Sequence, residues 1–336
     1  MTIKDIARLS GCGVATVSRA LNHPMDVSEE KRRRVMKVVE EYGFELNCNA
    51  KHLKQQAGTS IAILVKGTQN MLFADIVEQA QALLRDSGRD AAVYYLDEEA
   101  NEVAYACQLC RERKPLGILF LGGDRACFQT KFESIAVPCV LLTNTAQGLG
   151  FDNLSSLTTD DEAAAARVID YLAERGHRSI GVLGGNAETS QISALRLRGC
   201  QKEFHRRGLP FEPDRQWVCC RYSMADAYEA AGRLLSRSPD LTAIFAMSDV
   251  MAIGAIRLLA DRGKAVPKDI SVVGYDGISL AGYCIPRLTT VKQDAGRFAQ
   301  QGVELLLERL KRPAGPVHLR IPFQLVEGES VARRLP

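Results

Sequence analysis

The chain has 336 residues, 46% of them hydrophobic, with 43 Lys and Arg against 40 Asp and Glu. That is more chain than one hydrophobic core absorbs, so several domains are expected. No apolar run approaches the roughly 20 residues that span a bilayer and no signal peptide precedes Thr2, which points to a cytoplasmic protein without a membrane partner.

Thr2 with Asp5 three residues later reads as a capping-box-like start to a first helix, with Ile6, Ala7 and Leu9 on its buried side. Gly11 and Gly13 punctuate a turn. A second helix is expected from about Val14 to Leu21, with Val17 and Leu21 facing inward and Val14, Ala15, Ser18 and Arg19 outward. Two short helices about a tight turn form a unit that lays one helix in the major groove of DNA. A third helix follows: Ser28 is its expected N-cap, Glu29 and Glu30 occupy the first turn, and Gly43 stops it. Val35, Val38 and Val39 then close a three-helix core, while Arg32, Arg33 and Arg34 read as a solvated face with phosphate contact as the alternative.

Charge is distributed unevenly. Residues 1–57 hold ten Lys and Arg against seven Asp and Glu, whereas residues 58–336 hold 33 of each. A small basic module on a neutral body implies that only the front end meets a polyanion.

From Ser60 onward short apolar runs alternate with amphipathic ones. Strands are expected at Ile61–Val65, Ala92–Leu96, Gly117–Leu121, Val137–Leu142, Ile180–Leu183, Trp217–Cys220, Ala243–Met247 and Ile270–Val273. Helices are expected between them, at 74–87, 161–175, 195–207, 225–237 and 249–262. This alternation predicts parallel sheets covered on both faces, and about 280 residues divide into two doubly wound lobes.

The ten cysteines form no framework. Cys107 and Cys110 make one CxxC without a second pair or nearby His, and Cys219 and Cys220 read as strand core, so no metal site and no cofactor are expected. Gly122-Gly123 and Gly184-Gly185 end strands as a phosphate-binding turn does, yet neither completes GxGxxG or a P-loop. His177 reads as structural, and no catalytic residues stand out. The expectation is a non-enzyme, with an enzyme or a transport binding protein acting on a sugar as the alternatives from another class.

The string Ala15-Thr16-Val17-Ser18-Arg19, the later Asn47-Cys48-Asn49-Ala50-Lys51-His52-Leu53 and the body together resemble the LacI/GalR family of bacterial transcriptional regulators, from Ile3 to about Val331. The resemblance implies an all-α helix-turn-helix domain at 1–45, a hinge helix or linker at 46–58, and a periplasmic-binding-protein-like α/β body at 59–336. Within the body it implies three crossings between lobes, near 159–161, 287–290 and 319–322, giving lobe 1 at about 59–159 and 290–320 and lobe 2 at about 160–289 and 321–336. DNA contact is carried over to Thr2, Val14, Ala15, Thr16, Ser18, Arg19, Asn22, Asn47, Ala50, Lys51 and Leu53. Arg19 has the chemistry to pair with guanine and Leu53 that of a minor-groove wedge, whereas Val14 and Ala15 offer only apolar contact. Cys12, Gly13, Leu46 and Lys51 depart from the usual Val, Ser, Pro and Arg.

Effector binding is carried over to Leu72, Phe73, Asp124, Asp160, Arg196, Tyr222, Ser248, Asp276 and Gln293. A bidentate Arg196, an acceptor Asp276 and the ring of Tyr222 suit a sugar or sugar derivative, with a purine as the alternative. The implied protein is a homodimeric repressor on a pseudopalindromic operator, and no leucine-heptad tail follows the last crossing to build a tetramer.

Overall fold

A computed structural model describes residues 3–13, 16–17, 20, 27–41, 60–67 and 70–334. The chain divides into two units, 1–57 and 58–336. Of the expected DNA contacts, Thr2, Val14, Ala15, Ser18, Arg19, Asn22, Asn47, Ala50, Lys51 and Leu53 lie outside the described residues, as do Leu21 and Gly43.

In the first unit a helix spans Ile3–Ser10 and another Glu29–Glu41. Between them the amides of Thr16 and Val17 donate to the Gly13 carbonyl at 2.8 and 3.0 Å, opening a helical turn. Ile6, Ala7, Val17, Ala20, Val35 and Val38 form the core, with Val39 half-buried against it. Leu9, expected inside, is 43% exposed. Val17 and Ala20 from the intervening segment join that core instead. Gly11 ends the first helix at φ 63°, and the Arg34 guanidinium donates to the carbonyls of Ser10 at 2.8 Å and Gly11 at 3.3 Å. One member of the arginine run therefore satisfies helix-end carbonyls, which a cation near a C-terminus does well.

The second unit holds two six-stranded sheets. The first contains β1 (Ser60–Lys66), β2 (Asp90–Leu96), β3 (Gly117–Leu121), β4 (Cys139–Leu142), β5 (Leu154–Thr159) and β11 (His318–Ile321), in the order β11-β5-β4-β3-β1-β2 and parallel throughout. The second contains β6 (Ile180–Gly184), β7 (Trp217–Cys219), β8 (Ala243–Ala246), β9 (Ser271–Asp276), β10 (Thr289–Gln293) and β12 (Phe323–Val326), in the order β12-β10-β9-β8-β6-β7, with only β12 antiparallel to its neighbour. Central strands such as β3 are buried along their whole length, as parallel strands under helices must be.

Helices cover both faces of each sheet. Met71–Asp86 and Ala295–Lys311 pack together on one face of the first sheet, and Glu102–Glu112 with Arg125–Lys131 bury Phe120, Phe128 and Phe132 on the other. On the second sheet Asp161–Glu174 pairs with Gln191–Arg206, and Met224–Arg237 with Asp249–Asp261. Gly199 permits the first of these pairs, because a Cβ there would collide with the Glu162 carbonyl.

The chain passes from β5 in the first sheet to the Asp161–Glu174 helix of the second lobe, and from β11 directly to β12. The remaining crossing differs from expectation. Residues 289–293 form β10 between β9 and β12, so the chain leaves the second lobe at Asp294 rather than near 287–290. The polar sequence Thr-Thr-Val-Lys-Gln hides this strand, because its Thr and Gln side chains are buried only through specific hydrogen bonds.

Candidate functional site

Between the lobes lies a cleft of about 890 Å³. Its walls come from the residues that follow the carboxyl ends of β1, β2, β3, β4, β6, β7, β9 and β10, where ligands of open α/β sheets bind. Seven of the nine expected effector residues line it: Leu72, Phe73, Asp124, Arg196, Tyr222, Asp276 and Gln293.

Arg196 is 5% exposed and heavily engaged. Its Nε donates to Asp161 Oδ1 at 2.8 Å, one terminal nitrogen donates to the Met247 carbonyl at 2.5 Å, and its Cζ lies 3.6 Å from the centre of the Tyr275 ring. Tyr275 in turn donates its hydroxyl to Asp161 Oδ1 at 2.9 Å. Burial works against the guanidinium charge, but Asp161, the two tyrosines and Asp276 outweigh it and hold the group protonated. Burial raises the Asp161 carboxyl above its ordinary value despite Arg196. Among the described residues nothing accepts from Arg196 Nη2, so the hydrogens of that terminal nitrogen are left for a ligand.

Asp276 ends β9 with φ 110°, a conformation costly outside glycine. Thr143, on the opposite wall, also has positive φ, at 69°. The Asp276 Oδ1 accepts from Gln293 Nε2 at 2.9 Å, and Gln293 Oε1 accepts from Thr159 Oγ1 at 2.7 Å. Burial pushes the Asp276 carboxyl up to about 6. Behind it lies Asp249, fully buried, which accepts from the Thr290 hydroxyl at 2.5 Å and the Ile278 amide at 2.8 Å. Burial first, then the like charge of Asp276, pushes Asp249 up to about 8.

Both aromatic residues sit on strand-end glycines. A Cβ at Gly185 would lie 2.6 Å from the Tyr222 ring and one at Gly122 would lie 3.1 Å from Phe73. The glycine pairs noted in the sequence thus seat rings where a phosphate loop would present amides. Tyr222 is held in place through a 3.0 Å hydrogen bond between its hydroxyl and Ser193 Oγ. Asp124 caps the helix Arg125–Lys131, and its amide donates to Glu102 Oε1 at 2.6 Å; Glu102 also binds Lys66 Nζ at 2.8 Å.

Two expected residues stand elsewhere. Ser248 is buried as the N-cap of Asp249–Asp261, its hydroxyl accepting from the Met251 amide at 3.4 Å. Asp160 caps Asp161–Glu174, pairs with Arg320 at 2.5 Å, and faces a separate hollow of about 460 Å³ behind the crossings. Its neighbour Asp161, which sequence reading passed over, is the carboxylate that engages Arg196. Adjacent residues at a helix start point to different sides, and only the packing tells which side is inward. Lys66, Asn70, Asn186 and Arg221 also line the cleft without having been singled out, since isolated polar residues in loops carry no periodic signal.

No group of three His, Cys, Asp or Glu able to hold a metal ion occurs among the described residues. Cys127 and Cys220 line the cleft, but burial pushes their thiols up to about 11 and about 12, so neither is a ready nucleophile at neutral pH. His177 is buried, bonded to Thr242 Oγ1 at 3.0 Å and to the Ala332 carbonyl at 3.1 Å.

A helical unit with a turn-opened second helix, joined to a two-lobed body with a ligand-sized cleft, defines a DNA-binding sensor. Residues 2–47 match the profile of bacterial regulatory proteins of the lacI family, and residues 169–331 that of the periplasmic binding protein-like domain. The chain is 34% identical to the HTH-type transcriptional regulator MalR of Clostridium butyricum, covering 98% of this chain and 99% of that one. It is 29% identical to the ribose operon repressor of Haemophilus influenzae over 93% of its length and 92% of the relative's. Among solved structures, the transcriptional regulator CelR–cellobiose complex superposes with a TM-score of 0.73 at 25% identity, covering 98% of this chain and 99% of that one. The chain belongs to the lacI family of bacterial regulatory proteins and is a helix-turn-helix transcriptional regulator.

Proposed function

We propose that this regulator is a cytoplasmic, non-enzymatic repressor that binds a pseudopalindromic operator as a homodimer and responds to a sugar held between its lobes. The observation that carries the reading is the cleft of about 890 Å³, with Arg196 and Asp276 at its base and Phe73 and Tyr222 on its walls, in one chain with a helix-turn-helix unit. A relative named as a ribose operon repressor and a neighbour solved with cellobiose support a carbohydrate. Hydroxyls donating to Asp276 and accepting from Arg196, with a ring packed over the apolar face, are the interactions a sugar makes. Among the described residues no helix is long and apolar enough to cross a membrane.

Base reading falls to Val14, Ala15, Thr16, Ser18 and Arg19, with Thr2, Asn22 and Asn47 alongside, and Ala50, Lys51 and Leu53 belong to the segment that meets the minor groove between half-sites. Two exposed apolar side chains in the second lobe, Tyr283 at 85% and Ile285 at 92%, suit association with a second copy. Ligand in the cleft changes the lobe geometry and, through the dimer, the spacing of the two reading helices, a coupling of about 1–3 kcal/mol in comparable systems.

An electrophoretic shift on DNA upstream of the protein's own gene, with excess competitor and a panel of sugars, tests the proposal. A retarded complex released by one sugar supports it. A complex that forms only with ligand makes the sugar a corepressor, and binding to random DNA with equal affinity rejects an operator-specific role.

A further inference from the structure

The charges lining the cleft define the ligand more closely, and this step rests on the carbohydrate reading above. Among the described residues three cations line the cleft, and each is already held by a carboxylate: Lys66 by Glu102 at 2.8 Å, Arg196 by Asp161 at 2.8 Å, and Arg221 by Glu98 at 3.3 Å and Asp97 at 3.5 Å. Against them stand six lining carboxylates, Asp97, Glu98, Glu99, Asp124, Asp226 and Asp276. The balance is negative before any ligand arrives, and Glu102 and Asp161, each 1% exposed at the side chain, add charge behind the wall.

Helix N-termini are the other device that seats anions. Here each carries a side-chain cap of its own, which occupies one first-turn amide. Asn70 accepts from the Leu72 amide at 3.0 Å, Ser190 from Ser193 at 3.4 Å and Ser223 from Asp226 at 3.1 Å, and all three caps line the cleft. At a fourth helix start Asp124 brings its own negative charge and accepts from the Ala126 amide at 3.0 Å. What remains open is acceptor-rich: among the described residues no donor meets the second oxygen of Asp276.

We infer that the cleft selects an uncharged, hydroxyl-rich ligand and excludes the phosphorylated or carboxylated form of the same molecule. Hydroxyl groups donate to the surplus carboxylates, whereas a phosphate brings two more negative charges into a site whose three cations are each already paired with a carboxylate. Like charges brought together at a binding surface cost enough to separate affinities by about 100-fold or more.

Titration calorimetry of the full chain at 150 mM salt, with matched pairs, tests this: glucose and glucose 6-phosphate, ribose and ribose 5-phosphate, galactose and galacturonate, adenosine and its 5′-monophosphate. The expected result is an uncharged sugar that binds and an anionic partner about 100-fold weaker or silent. In the double variant Asp97→Asn/Glu98→Gln, both exposed enough to leave folding intact, Arg221 is released and the gap narrows by about tenfold. An anionic sugar that binds as well as its neutral partner overturns the inference and leaves the carbohydrate reading standing. Adenosine as the sole binder overturns the carbohydrate reading, and its 5′-monophosphate then decides the charge rule by itself. Silence across every pair counts against the inference.

Discussion

Asp249→Asn gives the most direct test of the electrostatics beneath the cleft. The carboxyl is fully buried, bonded to Thr290 and Ile278, and pushed by burial and by Asp276 from an ordinary 3.8 up to about 8. The folded chain therefore holds a proton at neutral pH that the unfolded chain has released. Folding is favoured most below about pH 4, where both states carry the proton, and loses ground as pH rises towards about 8. At about 1.4 kcal/mol per unit, the four units amount to about 5–6 kcal/mol, of which about 4 kcal/mol falls between pH 5 and pH 8. Asparagine keeps the shape and the acceptor oxygen but does not titrate. Urea unfolding followed by Trp217, the one tryptophan and a residue of the same lobe, reports the right unit. From pH 5 to pH 8 the stability of the parent relative to the variant is expected to fall by about 4 kcal/mol. A difference constant within about 0.5 kcal/mol over that range, against the expected slope, refutes a protonated Asp249.

At Asp276, pushed up to about 6, the ionised form is the better acceptor for ligand hydroxyls, so affinity is expected to hold above that pH and to fall about tenfold per unit below it; a flat calorimetric profile from pH 7.5 to 5 contradicts this. Arg196→Ala leaves Asp161 buried without its cation, which costs about 3–5 kcal/mol and removes the ligand response, while Arg196→Lys recovers stability without the response. Melting curves and gel shifts with and without sugar read the two effects separately. Gly199→Ala places a methyl against the Glu162 carbonyl and is expected to cost about 1–3 kcal/mol, seen as a melting point about 3–8 °C lower; an unchanged melting point shows that the two helices yield.

Strands and helices with strong apolar character were legible in the sequence, because burial on both faces writes itself as a continuous run; Gly117–Leu121 is found at the expected bounds. The elements near the crossings were not. β5 reads Leu-Ser-Ser-Leu-Thr-Thr, and its buried Ser155 and Ser156 serve the Val317 amide and His318 Nδ1, partners 162 residues away. β10 hides for the same reason, with Thr290 bound to Asp249 and Gln293 to Asp276. Seven of the nine residues expected to bind an effector converge on the cleft, whereas Asp160 and Ser248 stand at helix starts, a use that Ser and Asp serve as readily as ligand contact. The pairing of Arg196 with Asp161, not with a ligand alone, follows from helix packing that no local pattern encodes.

The three passages between lobes all leave from one side of the molecule: β5 and β11 close one sheet, and β10 and β12 close the other. At the far side β2 and β7 are each the last strand of their sheets, and among the described residues the Arg221 side chain reaches across to Asp97 and Glu98. The body therefore has a single axle and a free rim. Thr159 and Gln293, the final residues of two strands at that axle, are bonded to one another, and Gln293 holds Asp276. A ligand bonded to Asp276 would thus act on the axle itself, two hydrogen bonds from the last residue of β5.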